Sequence, residues 1–289
     1  MAANKPKKAR IPVFRVRTFI SAAAVLMLVS IALYGFVIEV HTLTITRVDM
    51  RNEPEFSALK GKKIVHLTDT HISSVGRLEQ KILDALSREK PDMILLTGDY
   101  ISWKGPVGPA ISFLSQLHAP DGVYAVLGDY DYTNTRGSCL FCHDKNSGRP
   151  TSRHSVKVLR NGSAEVAFET GCVRIHGMDG PPTSFDPFFT EQGRGEKPGE
   201  ACLILIHNPL LFDVLDPAGP CLVFAGNTHG GQIKLPRWVF KIFGYEKNAR
   251  YNQGLFKRDN HTMIVSRGTG TSHLPFRFLS PPELVVIEF

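Results

Sequence analysis

The sequence predicts an α/β domain that follows one N-terminal membrane-spanning helix. Three observations support this prediction: a long uncharged segment near the N-terminus, an alternation of strand and helix patterns after it, and a surplus of strand patterns in the second half of the chain. The composition is that of a globular protein, because 43% of the residues are hydrophobic and 21% are charged. A disordered or fibrous chain is therefore excluded.

The positive charge is concentrated at the N-terminus. The chain has a formal net charge of +7, and six basic residues lie in the first 17 positions without an acidic residue among them. After this tail, 28 of the 34 basic residues remain against the 27 acidic ones, so the rest of the chain is nearly neutral. We expect residues 1–17 to be a basic cytoplasmic tail, and we expect no nucleic-acid partner for the domain.

An uncharged segment, residues 18–38, follows this tail. As a helix it would be ~30 Å long, which is the thickness of the hydrocarbon core of a bilayer. Because the cations lie on one side only, we predict a signal anchor in the cell (inner) membrane, with residues 39–289 forming an extracytoplasmic domain. A buried core helix and a cleavable signal peptide are the alternatives, although the apolar run is long and no clean A-x-A site ends it.

Strand and helix patterns alternate after the anchor. Strand patterns occupy residues 62–68, 92–97 and 122–127, and helix patterns occupy residues 77–90 and 109–117 between them. Parallel strands joined in this way bring their carboxyl ends, where ligand-binding loops gather, to one edge of a sheet. The later strand patterns outnumber their helices and predict a second sheet packed on the first. They are residues 156–159, 165–168, 173–177, 203–207, 222–225, 263–266 and 284–289.

The five cysteines do not predict a disulfide framework, since their number is odd and the chain is long. Cys172, Cys202 and Cys221 lie in apolar strand patterns, where we expect inert buried thiols. Cys139 and Cys142 lie in a polar stretch and form the pattern C-x-x-C-H with His143. A simple disulfide, a metal that staples the loop and an attached c-type haem are the alternatives for this pattern.

Polar side chains follow five of the predicted strands where each strand ends. They are Asp69 and His71, Asp99, Asp129 and Asp131, His207, and Asn227 and His229. Oxygen and imidazole donors without a thiolate suit Mn, Fe, Zn or Mg. The sequence therefore predicts that these side chains converge on a metal site.

The order of these groups resembles a known family. The motifs D-x-H, GD, GDYD, a strand-end His and GNTHGGQ resemble those of the calcineurin-like metallophosphoesterases, particularly their membrane-anchored bacterial branch. The ending, with residues 266–271, Arg277 and residues 281–284, also resembles that branch, so the resemblance runs from about residue 39 to residue 289. It implies a four-layer α/β/β/α sandwich that holds two divalent metal ions.

The resemblance also implies roles for individual residues. Asp69, His71 and His229 would hold the first metal, Asp99 would bridge both metals, and Asp129, His207 and Asn227 would hold the second. Three positions depart from the family pattern, because Asp129 stands for an Asn ligand, Tyr130 for a His, and Asn227 for a His ligand. The second site is therefore harder and more anionic, which favours Mn, Mg or even Ca over Zn. Tyr130 and Asp131 are the candidate catalytic residues.

The activity that the resemblance implies is metal-dependent hydrolysis of phosphate esters or pyrophosphates by a hydroxide that bridges the two metals. Tyr130 is a poorer proton donor than an imidazolium, which favours a substrate with a good leaving group. The anchor and the apolar stretch at residues 235–243 suggest a lipid-linked or envelope substrate, and a phosphorylated small molecule is the alternative. An ordinary core-facing helix is the alternative interpretation of the apolar stretch. The alternatives are a non-catalytic or weakly active metal-binding protein, and a haem-carrying variant through Cys139, Cys142 and His143.

Overall fold

The computed structural model describes residues 13–102, 105–132, 153–178, 200–215, 219–242 and 250–289. Cys139, Cys142 and His143, which carry the haem alternative, lie outside the described residues. The described chain forms two six-stranded mixed sheets with helical segments on their outer faces. This arrangement confirms the predicted α/β class and the second sheet.

The first sheet contains the strands that alternate with helices. Its strands, in spatial order, are β1 (Thr44–Asp49), β12 (Glu283–Glu288), β2 (Lys63–Leu67), β3 (Met93–Leu96), β4 (Val123–Ala125) and β5 (Lys157–Val158). Neighbouring strands are parallel except at the β12–β2 pair. The carboxyl ends of β2, β3 and β4 therefore lie at one edge, as the alternation predicted.

The second sheet follows later in the chain. Its strands, in spatial order, are β10 (Gly254–Arg258), β11 (His261–Val265), β9 (Cys221–Ala225), β8 (Glu200–Leu205), β7 (Gly171–Gly177) and β6 (Gly162–Phe168). The four inner strands are parallel, and the two edge strands are antiparallel to their neighbours.

Helices precede, connect and cover these strands. The α-helices are α1 (Val13–Leu33), α2 (Arg77–Glu89), α3 (Val107–Leu114) and α4 (Arg237–Ile242). A π-helical turn, Tyr34–Ile38, continues α1, and short 3-10 segments occur at Glu39–His41, Pro54–Leu59, Pro209–Asp213 and His229–Gly231.

Apolar residues on both faces of each sheet produce the four layers. In β3, Met93 and Leu95 pack in the core between the sheets, and Ile94 packs in the core beneath α2 and α3. In β8, Leu203 faces the core between the sheets and Ile204 faces the opposite side. Because successive side chains of a strand alternate between faces, these near-continuous apolar runs are what a doubly covered sheet requires.

The N-terminal helical segment is long and apolar enough to cross a membrane. The span Phe19–His41 contains 23 residues with a mean hydropathy of 2.3. Only 6% of its most apolar window is buried inside the protein, so the segment does not belong to the domain core. This excludes the alternative of a core helix and agrees with a membrane-anchoring segment.

Two of the strand cysteines form a disulfide. Cys202 in β8 and Cys221 in β9 are paired in the parallel register, their Cα atoms are 4.7 Å apart, and their sulfur atoms are bonded. The prediction of inert thiols at these two positions was wrong, because the strand register places the side chains on the same face at bonding distance. Cys172 is a free thiol of intermediate exposure.

Candidate metal centre

Five predicted metal ligands converge between the carboxyl ends of the inner strands. Asp69 and His71 follow β2, Asp99 follows β3, His207 follows β8, and His229 follows β9. All five are buried. Their ligand atoms form two groups of three, with distances of at most 4.8 Å within each group: Asp69 with His71 and His229, and Asp69 with Asp99 and His207. The Asp69 carboxylate is therefore common to two sets of metal-binding groups.

The Asp99 carboxylate lies between the two groups. Its Oδ2 atom is 3.5 Å from Nε2 of His71 and 3.5 Å from Nε2 of His207. Its Oδ1 atom accepts a hydrogen bond of 3.0 Å from the backbone amide of Tyr130. A carboxylate in this position can contact cations on both sides, which is the geometry that a bridging ligand requires.

Asp131 orients the turn that carries Asp99. Its fully buried carboxylate accepts hydrogen bonds of 2.8 Å from the backbone amides of Asp99, Tyr100 and Gly128. Burial and the charge of Asp99 raise the pKa of Asp131 to about 8. These contacts support a positioning role for Asp131, and its catalytic role stays a prediction.

The imidazoles are oriented for metal binding. Nδ1 of His71 lies 3.2 Å from the carbonyl oxygen of Ile101, and Nδ1 of His207 lies 2.7 Å from that of Thr97. Because a carbonyl oxygen can only accept, each Nδ1 carries a proton, which leaves each Nε2 as the ring atom that could bind a metal. Among the described residues, the buried Nε2 of His207 makes no hydrogen bond, and it lies 3.5 Å from Oδ2 of Asp99.

His229 completes the fit of this centre to a cation. Its Nε2 atom is 3.1 Å from Nε2 of His71 and 3.6 Å from Oδ1 of Asp69. Burial lowers the pKa of His229 well below its usual value, and the positive charge of Arg277 acts in the same direction. His229 therefore stays neutral, which is the form that binds metals. Imidazole lone pairs and carboxylates that converge in a buried centre fit divalent cations.

Backbone strain is concentrated at these strand ends. Five of the ten described residues other than glycine that have a positive φ lie here: Asp69 (49°), His71 (44°), Asp99 (57°), Asn227 (70°) and His229 (52°). A left-handed conformation at a residue other than glycine costs on the order of 1–3 kcal/mol and occurs mainly where a site imposes it. Neighbouring glycines allow close approach, since a Cβ on Gly128 would lie 2.1 Å from Oδ1 of Asp99.

The positions that depart from the family pattern lie around this centre. Asp129 is exposed, and the Tyr130 ring is 5.0 Å from the His71 ring, centroid to centroid. The backbone amide of Asn227 donates to Oδ1 and Oδ2 of Asp69 at 3.0 and 2.9 Å. In the described part of the chain, neither metal-binding group of the centre includes the side chain of Asp129. The assignment of Asp129 and Asn227 as ligands of a second metal stays a prediction.

Arg277 holds the backbone next to His229 through hydrogen bonds, a role that was not predicted from the sequence. Its side chain is fully buried and donates to the carbonyl oxygens of Ser280 at 2.7 Å, Arg267 at 2.9 Å and Gly270 at 3.1 Å. One of its terminal nitrogens lies 3.5 Å from Nδ1 of His229. The sequence signal was a lone cation in the apolar run LPFRF, which is unusual unless the cation is fully bonded.

Comparison with known proteins identifies the class that this fold and centre define. Residues 62–246 match the family model described as calcineurin-like phosphoesterase. The match covers more than half of the chain, so the protein belongs to this family and is a hydrolase of phosphoester bonds. The family prediction made from the motifs is confirmed.

Individual relatives align over most of their length. The chain is 29% identical over 303 residues to the UDP-2,3-diacylglucosamine pyrophosphatase LpxG of Chlamydia trachomatis, covering 87% of this chain and 90% of the relative. It is 26% identical over 261 residues to the uncharacterized metallophosphoesterase YkuE of Bacillus subtilis, covering 88% of each. Among solved structures, the NAD nucleotidase NadN of Haemophilus influenzae aligns with a TM-score of 0.45 and 12% identity, covering 72% of this chain and 50% of that chain.

Proposed function

We propose that the protein is a membrane-anchored, two-metal phosphohydrolase that cleaves the ester or pyrophosphate bond of a lipid-linked phosphate. The observation that carries this proposal is the pair of ligand groups that share Asp69, with Asp99 between His71 and His207. Asp69, His71 and His229 would hold one ion, and His207 would hold the other, with Asp129 and Asn227 as the additional ligands that the family pattern implies. Asp99 would bridge the two ions.

The centre binds and orients a phosphate group. When bound, the two divalent ions supply positive charge for phosphate oxygens and a water molecule of lowered pKa as the nucleophile. Asp131 holds the Asp99 turn through three backbone amides, which fixes the carboxylate between the two sides. The Nδ1 bonds of His71 and His207 to backbone carbonyls fix both imidazole planes.

Tyr130 is the side chain that we assign as a hydrogen-bond donor to the substrate. Burial and the charges of Asp99, Asp129 and Asp69 raise the pKa of its phenol above the usual value. The hydroxyl therefore stays protonated at neutral pH and can donate to a phosphate oxygen or to the leaving oxygen. Because a phenol transfers its proton less readily than an imidazolium, this site suits a leaving group that needs little protonation.

Changing Tyr130 tests that assignment. We expect Tyr130→Phe to lower kcat by about 10- to 100-fold, since a hydrogen bond to a charged group contributes about 1.5–3 kcal/mol. Tyr130→His should raise kcat mainly for esters with poor leaving groups, because an imidazolium can protonate them. The measurement is kcat across a series of aryl phosphodiesters of increasing leaving-group pKa. An unchanged kcat in Tyr130→Phe across the whole series would exclude Tyr130 from the reaction.

A lipid-linked substrate is supported by the span and by a relative. The relative that shares 29% identity over most of both chains is named for hydrolysing UDP-2,3-diacylglucosamine, a lipid that carries a pyrophosphate. The uncharged span Phe19–His41 would hold the domain at the membrane where such lipids reside. The basic tail before the span and the Cys202–Cys221 disulfide both support an extracytoplasmic domain.

The full chain in detergent, loaded with Mn, Mg or Zn, tests this function against a substrate panel. The panel contains UDP-2,3-diacylglucosamine, bis(p-nitrophenyl) phosphate and a phosphomonoester. We expect two metal ions per chain and hydrolysis of the lipid pyrophosphate that is fastest with Mn or Mg, because the second site is rich in oxygen donors. Bound metal without hydrolysis of any panel member would favour the second candidate, a non-catalytic metal-binding protein, which the exposed position of Asp129 supports.

A further inference from the structure

We propose that an apolar surface around the end of the anchor docks into the lipid bilayer, so that the metal centre opens at the membrane surface. This inference rests on the proposed function only in that the span Phe19–His41 crosses a membrane. The membrane-docking surface consists of Phe36, Leu235, Trp238, Ile242, Leu274 and Leu279, and all six side chains are exposed.

The end of the anchor is fixed to the domain. The buried carboxylate of Glu39 accepts hydrogen bonds from the backbone amides of Leu279 at 3.0 Å and Ser280 at 2.6 Å. The carbonyl oxygen of Gly35 accepts one from the backbone amide of Arg277 at 3.3 Å. A flexible tether would let the domain tumble above the membrane, but these bonds hold residues 274–280 against the last turns of the span.

Side-chain packing reinforces this junction. The Phe36 and Phe276 rings lie 4.8 Å apart and the Tyr34 and Phe278 rings 6.3 Å apart, centroid to centroid. A Cβ on Gly35 would lie 2.1 Å from the Phe276 ring, so a glycine is needed for this close approach. The direction in which the domain faces the membrane is therefore set by the fold.

Exposed apolar side chains surround this junction. The backbone amide of Lys234 donates to the carbonyl oxygen of Phe278 at 2.9 Å. This bond places the chain that leads into α4 beside residues 274–280, which contact the anchor. On these two segments, Trp238 is 65% exposed, Ile242 69% and Leu279 57%. Neighbouring exposed apolar side chains of this size indicate an interaction surface.

Leu279 provides an independent indication. Its φ of 56° is in the left-handed region, which a bulky aliphatic residue rarely occupies. The hydrogen bond from its amide to Glu39 helps to hold it there. Its apolar side chain is therefore held exposed, directly beside the anchor, in a backbone conformation that its residue type rarely adopts.

The bilayer is the occupant that continuity with the span favours. Phe36, on the turn that continues α1, is itself 42% exposed. The hydrogen bond from the Leu279 amide to Glu39 holds Leu279 beside the end of the span, so the exposed apolar surface continues from Phe36 to Leu279. Tryptophan is enriched at membrane interfaces, and an apolar helix face bordered by cations such as exposed Lys234 is typical of interfacial segments.

A cavity lies between the end of the anchor and the metal centre, and both Phe36 and His71 line it. It has a volume of about 270 Å³ and is lined by Phe36, Val40 and His41 at the end of the anchor and by Thr70, His71 and Gly270 at the centre. A phosphate on a lipid head group can therefore approach His71 from the membrane surface while its acyl chains stay in the leaflet.

Fluorescence quenching tests the docking with the full chain. The chain has two tryptophans, so Trp103→Phe leaves Trp238 as the single reporter. The variant is reconstituted into phosphatidylethanolamine–phosphatidylglycerol vesicles with or without bromine atoms on the acyl chains. Because interfacial segments insert ~5–10 Å, we expect brominated lipids to quench Trp238 roughly twofold or more. Equal emission in both vesicles would overturn the docking.

A matched control places the reporter away from the anchor. The control variant combines Arg88→Trp with Trp103→Phe and Trp238→Phe, so that its single tryptophan is at position 88. This position is exposed and lies near the end of α2, ~16 Å along the helix from Arg77, which lines the cavity. This reporter should not be quenched, and quenching equal to that of Trp238 would contradict a specific docking face. In the Trp103→Phe protein, Ile242→Glu should lower the quenching, and an unchanged value would also contradict the proposal.

The two proposals fail in different ways. Quenching requires no catalysis, so a quenched Trp238 in a protein that hydrolyses no panel substrate overturns the proposed function and supports the docking. Hydrolysis without quenching overturns the docking alone.

Discussion

Asp99→Asn lowers the rate of phosphoester hydrolysis by at least ~10³-fold, because this change removes several kcal/mol of electrostatic support from the metal centre. Oδ2 of Asp99 is 3.5 Å from Nε2 of both His71 and His207, so its charge acts on both sides of the centre. With an amide in its place, bound metal should fall from two ions per chain to one or none. Metal analysis and kcat/KM on the same protein sample measure both effects.

A second aspartate provides the matched control for this change. Asp84 lies on the exposed face of α2, where it accepts a hydrogen bond of 3.0 Å from Gln80. Asp84→Asn should keep both the metal content and the rate. Asparagine has the same shape as aspartate and can still accept from the Tyr130 amide, so an unchanged thermal unfolding transition would separate lost charge from misfolding. Two retained metals at full rate in Asp99→Asn would contradict the bridging assignment.

The strand ends were predictable because the inner strands carry a strong sequence signal. Asp69, Asp99 and His207 each follow an apolar run that is buried on both faces, and each run ends at a polar residue. Parallel strands in one sheet must bring these ends to the same edge. The strand ends of the two sheets also lie together, so that His229 is beside His71. This was implied by the family resemblance and not by the periodicity.

Two of the four edge strands of the described sheets, β1 and β10, were missed for a physical reason. In β1, exposed residues such as Arg47 and Asp49 alternate with less exposed ones, of which only Val48 is buried. β10 has no buried residue and ends at Arg258. An edge strand is held in the sheet by backbone hydrogen bonds to one neighbouring strand, so its side chains need not be apolar. The Cys202–Cys221 disulfide was missed because it depends on the register between two strands, which spacing along the chain does not specify.

The junction with the anchor could not be predicted from local patterns. Glu39 contacts the amides of Leu279 and Ser280, which are 240 and 241 positions away in the chain. In the sequence, Glu39 is simply the first acid after an apolar segment, and the predicted anchor ends just before it. Its burial depends on how the first and last parts of the chain meet, which only the fold determines.

Arg277→Ala should lower the unfolding temperature by about 10 °C, which corresponds to about 4 kcal/mol in a domain of this size. The guanidinium is fully buried, and its hydrogen bonds satisfy carbonyl oxygens of Gly268, Gly270 and Ser280 that water cannot reach. Burial lowers its pKa to about 10, so it stays charged at neutral pH and donates charge-assisted bonds. Alanine would leave those carbonyls unpaired beside a large cavity.

Two further variants separate burial from charge in this prediction. Arg47 pairs with Glu89 and Glu288 on the surface, where its side chain is 51% exposed, so Arg47→Ala should leave the unfolding temperature nearly unchanged. Arg277→Lys keeps the charge but loses the planar fork that reaches several carbonyls at once, so it should fall between the wild type and alanine. Scanning calorimetry of the detergent-solubilised chain measures all three, and equal transitions for Arg277→Ala and Arg47→Ala would show that the buried network does not stabilise this fold.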